Sequence, residues 1–277
     1  MLTKVPLMSF SALIAFRIMR ANDLTLQIPE LTLPYGATKF AGIIAGGVGS
    51  RIAALTGGRS KAMLDVRGRP LVDYVITDLA DAGIEHLCVV LRPEDEELVD
   101  FLERETRFSS VEAIPCVPTG GTLSSVLALT EHFGDENHLI STCDVVVARG
   151  TVGRLLRAAE TDSVKGMLAV VLTCDHVEDE NPVWVDVDEH SVVADFGKEI
   201  APAAHAYGHI RWVSRNFLGA LSEVDLSNTT RDTEMMRRVV TAHPGRVRAM
   251  DAGYVLDVDD EQDLLKAQRF LDDLPSA

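Results

Sequence analysis

Several common classes of protein are excluded by what this chain lacks. Its 277 residues hold only four cysteines, Cys88, Cys116, Cys143 and Cys174, far apart and with no C-x-x-C pair. That spacing argues against a zinc site and a disulfide framework, and the thiols read as reduced and cytoplasmic. Cations are scarce: 26 Lys and Arg stand against 42 Asp and Glu, a formal charge of −16. So acidic a chain is a poor partner for nucleic acid or an anionic membrane, and neither is expected. The apolar run Leu7 to Phe16, bracketed by Lys4 and Arg17, is shorter than the roughly 20 residues that span a bilayer. No A-x-A site precedes Arg17 and Arg20, which disfavours a signal peptide. Internal repeats and low-complexity segments are absent as well.

What is present is ordinary globular usage, 47% hydrophobic and 25% charged. The length suits one large domain or two small ones. Residues 1–38 read as an N-terminal extension, with Pro29 and Pro34-Tyr35-Gly36 as a linker. A later start at Met19 and a short helix packed on the domain are both open readings. The working domain is expected over residues 39–277.

The most informative stretch is Ala45-Gly46-Gly47-Val48-Gly49-Ser50-Arg51, preceded by the apolar run Phe40 to Ala45. A buried strand followed by glycines lets the backbone turn tightly and aim N–H groups at an anion. Arg51 adds a planar fork suited to phosphate, and Lys61 a mobile point charge. A P-loop would need Lys directly after the last glycine, and none is there. A dinucleotide fingerprint would need a third glycine where Ile52 stands.

Beyond the loop the chain alternates. The apolar spacing predicts a helix over 71–81, a strand over 86–91, an acidic helix over 94–105 and a strand over 111–116. A helix over 122–133 and a strand over 138–142 follow, the strand ending at Cys143-Asp144. Such alternation argues for a largely parallel sheet with helices on both faces and ligands at the strand ends. Residues 182–193 read as a β-hairpin continued by 194–198. His205 and His209 lie four apart, but Gly208 and the run after it indicate a strand, not a helical zinc pair. A strand and then a helix close the domain from Tyr254 to Leu265.

Taken with Ser60-Lys61-Ala62-Met63-Leu64 and Gly68-Arg69-Pro70-Leu71, the glycine loop resembles the nucleotidyltransferase superfamily of sugar-1-phosphate nucleotidylyltransferases. The resemblance spans roughly residues 38 to 272. It implies a single Rossmann-like, GT-A-type three-layer α/β sandwich, mostly parallel, with a small β-hairpin insertion on the acceptor side. It implies catalytic roles for Arg51 and Lys61, and nucleotide binding by Ala45, Gly46, Gly47, Gly49, Ser50, Gly121 and Thr122. Asp144 and Asp257 take the places of Mg²⁺ ligands. Lys198, in a Gly-Lys-Glu that replaces the usual E-K-P, and Gly208 take those of acceptor-binding residues. Cys143 stands where a glycine is usual, and Asp259 and Asp260 read as helix N-terminal acids.

The activity so implied is attack by a phosphorylated small-molecule acceptor on the α-phosphorus of a nucleoside triphosphate, with Mg²⁺, releasing pyrophosphate. The acceptor phosphate is already anionic, so positioning and charge neutralisation carry the catalysis. Replacing Lys61 is expected to spare stability. Two alternatives remain at this point: an NAD(P)-binding oxidoreductase, and a catalytically inactive nucleotide-sensing subunit of the same fold. The base, the exact acceptor and homo-oligomer formation are left open.

Overall fold

The computed structural model describes residues 38–47, 49, 51–117, 121–161, 165–175, 182–198, 200 and 205–273. The expected extension, apart from Thr38, lies outside these, as do Ser50 and the turn at 118–120.

Strand β1 (Phe40–Ala45) leads into the glycine loop and the short helix α1 (Ala53–Thr56). A 3-10 turn at Lys61–Met63 precedes a minimal hairpin, β2 (Asp65–Val66) and β3 (Arg69–Pro70). Then come α2 (Leu71–Asp81), β4 (His86–Leu91), α3 (Glu96–Glu103), β5 (Ser110–Pro115), α4 (Gly121–Phe133) and β6 (His138–Thr142). After β7 (Val145–Val147), α5 (Thr151–Ala159) and β8 (Ala169–Cys174) the chain forms the hairpin β9 (Trp184–Val187) and β10 (Val193–Gly197). It closes with β11 (His205–Val213), α6 (Phe217–Leu221), α7 (Asp232–Ala242), β12 (Val247–Asp251), β13 (Val255–Asp257) and α8 (Glu261–Asp273).

The main sheet runs β10-β9-β11-β6-β1-β4-β5, with β8 pairing β11 and β12. The β6-β1-β4-β5 half is parallel, and β11 joins it antiparallel. Side chains alternate across a strand, and the core divides accordingly. Ala41, Ile43 and Ala45 of β1 face one cluster with α2, α3 and α5, while Ile44 faces another with α4, α6 and α7. Helix α2 shows why the pattern was readable: Leu71, Val72, Val75, Ile76 and Leu79 form one buried stripe at helical spacing. A third, smaller cluster seats α8 against Val66, Leu71, Val146 and Leu256. These three layers place the carboxyl ends of β1 and β6 along one edge, where an open α/β sheet offers a ligand crevice.

Candidate active site

The glycine loop leaves β1 at Ala45. A Cβ on Gly46 would lie 3.0 Å from Cys116 Sγ, so the loop lies close against the end of β5. Gly49 has φ +59°, and a Cβ there would press to 3.2 Å on Ile52 and on the Lys61 stem. Glycine fits this position on both counts. Gly47 has open space around it. Gly46 and Gly47 line a cavity of about 490 Å³ together with Arg92, Gly121, Thr122 and Ser125. Gly121 has φ +60°, and a Cβ on it would come within 2.3 Å of the Thr230 carbonyl oxygen. Thr122 does not cap its own helix; its hydroxyl accepts the Asp232 N–H at 2.9 Å, tying α4 to α7.

Beside the loop, the Lys61 ammonium lies 2.7 Å from both Asp144 Oδ2 and Asp259 Oδ1, with only 6% of its side chain exposed. Burial pushes that ammonium's pKa down, but Asp144, Asp257 and Asp259 outweigh burial and hold it above its ordinary value. Burial likewise pushes the Asp144 carboxyl up, and the Lys61 charge and hydrogen bond hold it below the usual range. Asp144 is fixed from two sides: the next N–H before it, on Cys143, donates to Ile44, and its own carbonyl accepts from Val258 at 3.0 Å. The tiny β7–β13 sheet pairs Asp257 with Val145, bringing the second carboxylate alongside.

Asp144, Asp257 and Asp259 each offer a carboxylate oxygen, all within 4.8 Å of one another. Asp144 Oδ1 is buried and accepts no hydrogen bond. An all-oxygen, acidic donor set with an unsatisfied buried atom suits a hard divalent cation such as Mg²⁺. The residues therefore fit the metal that the sequence resemblance implies.

Asp259 was not anticipated in this role. It bonds Lys61 and also receives Arg51 Nη2 at 2.5 Å, so Arg51, whose side chain is largely exposed, is tethered at the same cluster. Asp260 is the helix acid: its Oδ1 accepts the N–H groups of Gln262 and Asp263 at 2.8 and 3.0 Å. The signal for Asp259 was its i, i+2 spacing from Asp257 at a strand end, which puts both side chains on one face. His209 was also missed; its φ is +55° and its Nε2 lies 3.7 Å from Asp257 Oδ2. Positive φ at a non-glycine residue is strain, and it sits here beside the carboxylates. Gly208 packs under Val255 and Leu172, where a Cβ would meet Val255 at 3.1 Å. Lys198 lies apart from the cluster, at the end of β10.

A glycine loop on a three-layer α/β sheet, facing a buried lysine and three carboxylates, defines a nucleotide-binding class suited to phosphoryl chemistry. The MobA-like NTP transferase domain description matches residues 41–244, and the chain belongs to that family of nucleotidyltransferases. The match sets aside the oxidoreductase alternative. The chain is 26% identical over 190 residues to the N-acetylmuramate alpha-1-phosphate uridylyltransferase of Caulobacter vibrioides, covering 63% of this chain and 75% of that protein. It is 29% identical over 106 residues to the 2-aminoethylphosphonate cytidylyltransferase of Lancefieldella rimae, covering 38% of this chain and 43% of that one. Among solved structures, the inositol-1-phosphate CTP transferase of T. maritima superposes with a TM-score of 0.71 at 16% identity, over 87% of this chain and 99% of the other. A UTP-bound UGPase from Acinetobacter baumannii gives 0.67 at 17% identity, over 84% and 93%. At such identities these two likenesses establish the fold, which is the mixed α/β architecture with the parallel central strands that the sequence implied.

Proposed function

We propose that this protein moves a nucleotidyl group from a nucleoside triphosphate to a sugar 1-phosphate, with Mg²⁺ held by Asp144, Asp257 and Asp259. The observation that carries the reading is the buried Lys61 ammonium, 2.7 Å from two of those carboxylates and beside the glycine loop. A phosphate oxygen of the acceptor forms a bond to the α-phosphorus, the bond from that phosphorus to the β-bridging oxygen breaks, and pyrophosphate leaves. The backbone amides of Gly46, Gly47 and Gly49, with Ala45 and Ser50 flanking, receive the phosphates. Arg51 grips the outer phosphates with its fork, and Lys61 neutralises charge growing on the α-phosphate oxygens. Gly121 and Thr122 form the wall against the base. Lys198 holds the acceptor phosphate, and Gly208 leaves room at the acceptor side. When bound, Mg²⁺ supplies further positive charge at the phosphates.

Pyrophosphate release tests the reading directly, with UTP, CTP, dTTP and GTP each offered against a panel of sugar 1-phosphates. The relatives' names put UTP and CTP first and include N-acetylmuramate α-1-phosphate among the acceptors. Release that requires acceptor, nucleotide and Mg²⁺ together, and stops with EDTA, is the expected result. No release from any pair, or release indifferent to the acceptor, would sink it.

A further inference from the structure

Asp259 touches both halves of the site: the acids suited to a metal and the cations assigned to the triphosphate. Its Oδ1 lies 2.7 Å from the Lys61 ammonium and its Oδ2 lies 2.5 Å from Arg51 Nη2, so those two cations engage both oxygens. The chain fixes its place. Its own N–H donates to Asp263 Oδ2 at 3.2 Å, in the first turn of α8, and the N–H before it, on Val258, donates to the Asp144 carbonyl at 3.0 Å. Arg51 is anchored differently: 67% of its side chain is exposed, and Asp259 draws its guanidinium to the cluster.

The two roles compete. Nη2 is shared by both paired-donor edges of a guanidinium, so a carboxylate held there stands beside any phosphate that the fork takes up. Two anions on one nitrogen repel. The formal charges agree. With His209 counted neutral, Asp144, Asp257 and Asp259 carry −3 against +2 on Lys61 and Arg51, which leaves −1. A polyanion arriving alone meets a negative cluster and must draw Arg51 off Asp259. A divalent cation arriving alone meets two cations already on the Asp259 oxygens. Arriving together, they allow an exchange. Phosphate takes Arg51, and the oxygen that Arg51 leaves serves the metal. The same sum with a divalent ion added is +1, which attracts a polyanion.

We propose that Asp259 is an exchange residue, which withholds Arg51 from phosphate until a divalent cation takes its place, so that metal and triphosphate bind as a coupled pair. This rests on the transferase reading above. Linkage makes such coupling reciprocal, so each half has its own test. The first titrates inorganic triphosphate in EDTA by calorimetry, which needs neither base nor acceptor. Asp259→Asn should bind it about 5-fold tighter than the wild type, the scale of one exposed ion pair. That gain should vanish in an Arg51→Ala background. The second titrates Mn²⁺ alone, counted by its EPR signal as a stand-in for Mg²⁺. Arg51→Ala should bind it about 3-fold tighter, although the change removes a residue that serves the reaction. This gain should vanish in an Asp259→Asn background. Thermal unfolding checks that the variants remain folded, and Arg51→Gln or Asp259→Ser replaces one that does not. A gain that survives loss of the other partner would reduce the residue to a bare charge and overturn the proposal. So would unchanged or weaker Mn²⁺ binding in Arg51→Ala, and so would triphosphate that binds none of the proteins. Pyrophosphate release is read separately. Coupling without release would defeat the transferase reading and leave the exchange assigned, and release without coupling would do the reverse.

Discussion

Lys61 places its ammonium midway between two carboxylates while nearly all of its side chain is withdrawn from water. The sequence alone implied that its replacement would spare stability, and the structure corrects this. Lys61→Ala removes the counter-charge of three converging acids. Breaking a buried pair from one side costs roughly 3 kcal/mol or more, so the variant should melt well below the wild type. Millimolar Mg²⁺ should raise its melting temperature more than that of the wild type, because a cation at the carboxylates replaces the lost charge. Turnover should fall by about 10²-fold or more even with metal, and kinetics beside thermal scans separate the two effects. Asp78 gives a pH prediction away from the site. Burial, with Asp81 adding, pushes its carboxyl from 3.8 to about 7. Between those values the folded state binds the proton more than the unfolded state does, so this group's contribution to stability falls as pH rises through the window. Asp78→Asn should therefore stabilise the protein by about 2 kcal/mol at pH ~8 and bring no gain at pH ~4. Urea melts at the two pH values check it, and an equal gain at both would refute the assignment.

Among the elements, the α4 start is the most constrained. Gly121→Ala forces a Cβ to 2.3 Å from a backbone oxygen at positive φ, so the α4–α7 junction must shift. A stability loss of about 1–3 kcal/mol and a weaker nucleotide Kd are expected, measured by thermal unfolding and by titration with UTP or CTP. A normal Kd would detach Gly121 from the nucleotide cavity. The junction is reinforced by Arg211, fully buried on β11, whose guanidinium meets Asp232 at 2.7 and 2.8 Å and Tyr207 Oη at 3.0 Å. No periodicity announces such a pair, because an arginine in a strand reads as solvated until its partner is known. Elements set by local pattern were legible to the residue: α2, β4 and β6 begin and end where their apolar spacing does. Helix α3 starts later than Pro93 implied, since the Asp95 N–H turns back to the Arg92 carbonyl and the Asp95 carboxylate is held by Arg92. The glycine loop and Lys61 were legible because they sit in one continuous motif, and Asp144 because it closes an apolar strand. Asp259 and His209 were not, since their meaning comes from β13 and β11 arriving at the same point from distant chain.

For the whole molecule, the three carboxylates form one unit assembled from remote segments. Asp144→Asn and Asp257→Asn should each cripple Mg²⁺-dependent turnover, and the double variant should be little worse than the poorer single. Steady-state rates across the set check this, and multiplicative losses would mean that the two residues act separately. The β7–β13 pairing also governs the order in which the protein can be completed. A chain growing from its N-terminus carries the glycine loop, Lys61 and Asp144 long before Asp257 and Asp259 exist. In that interval one lysine faces one aspartate, a neutral couple with little pull on a divalent cation. The negative surplus arises only when β13 zips onto β7 and delivers two further carboxylates. On the proposed reading, competence for the metal would thus be a late event in biogenesis, waiting for β13 to dock on β7.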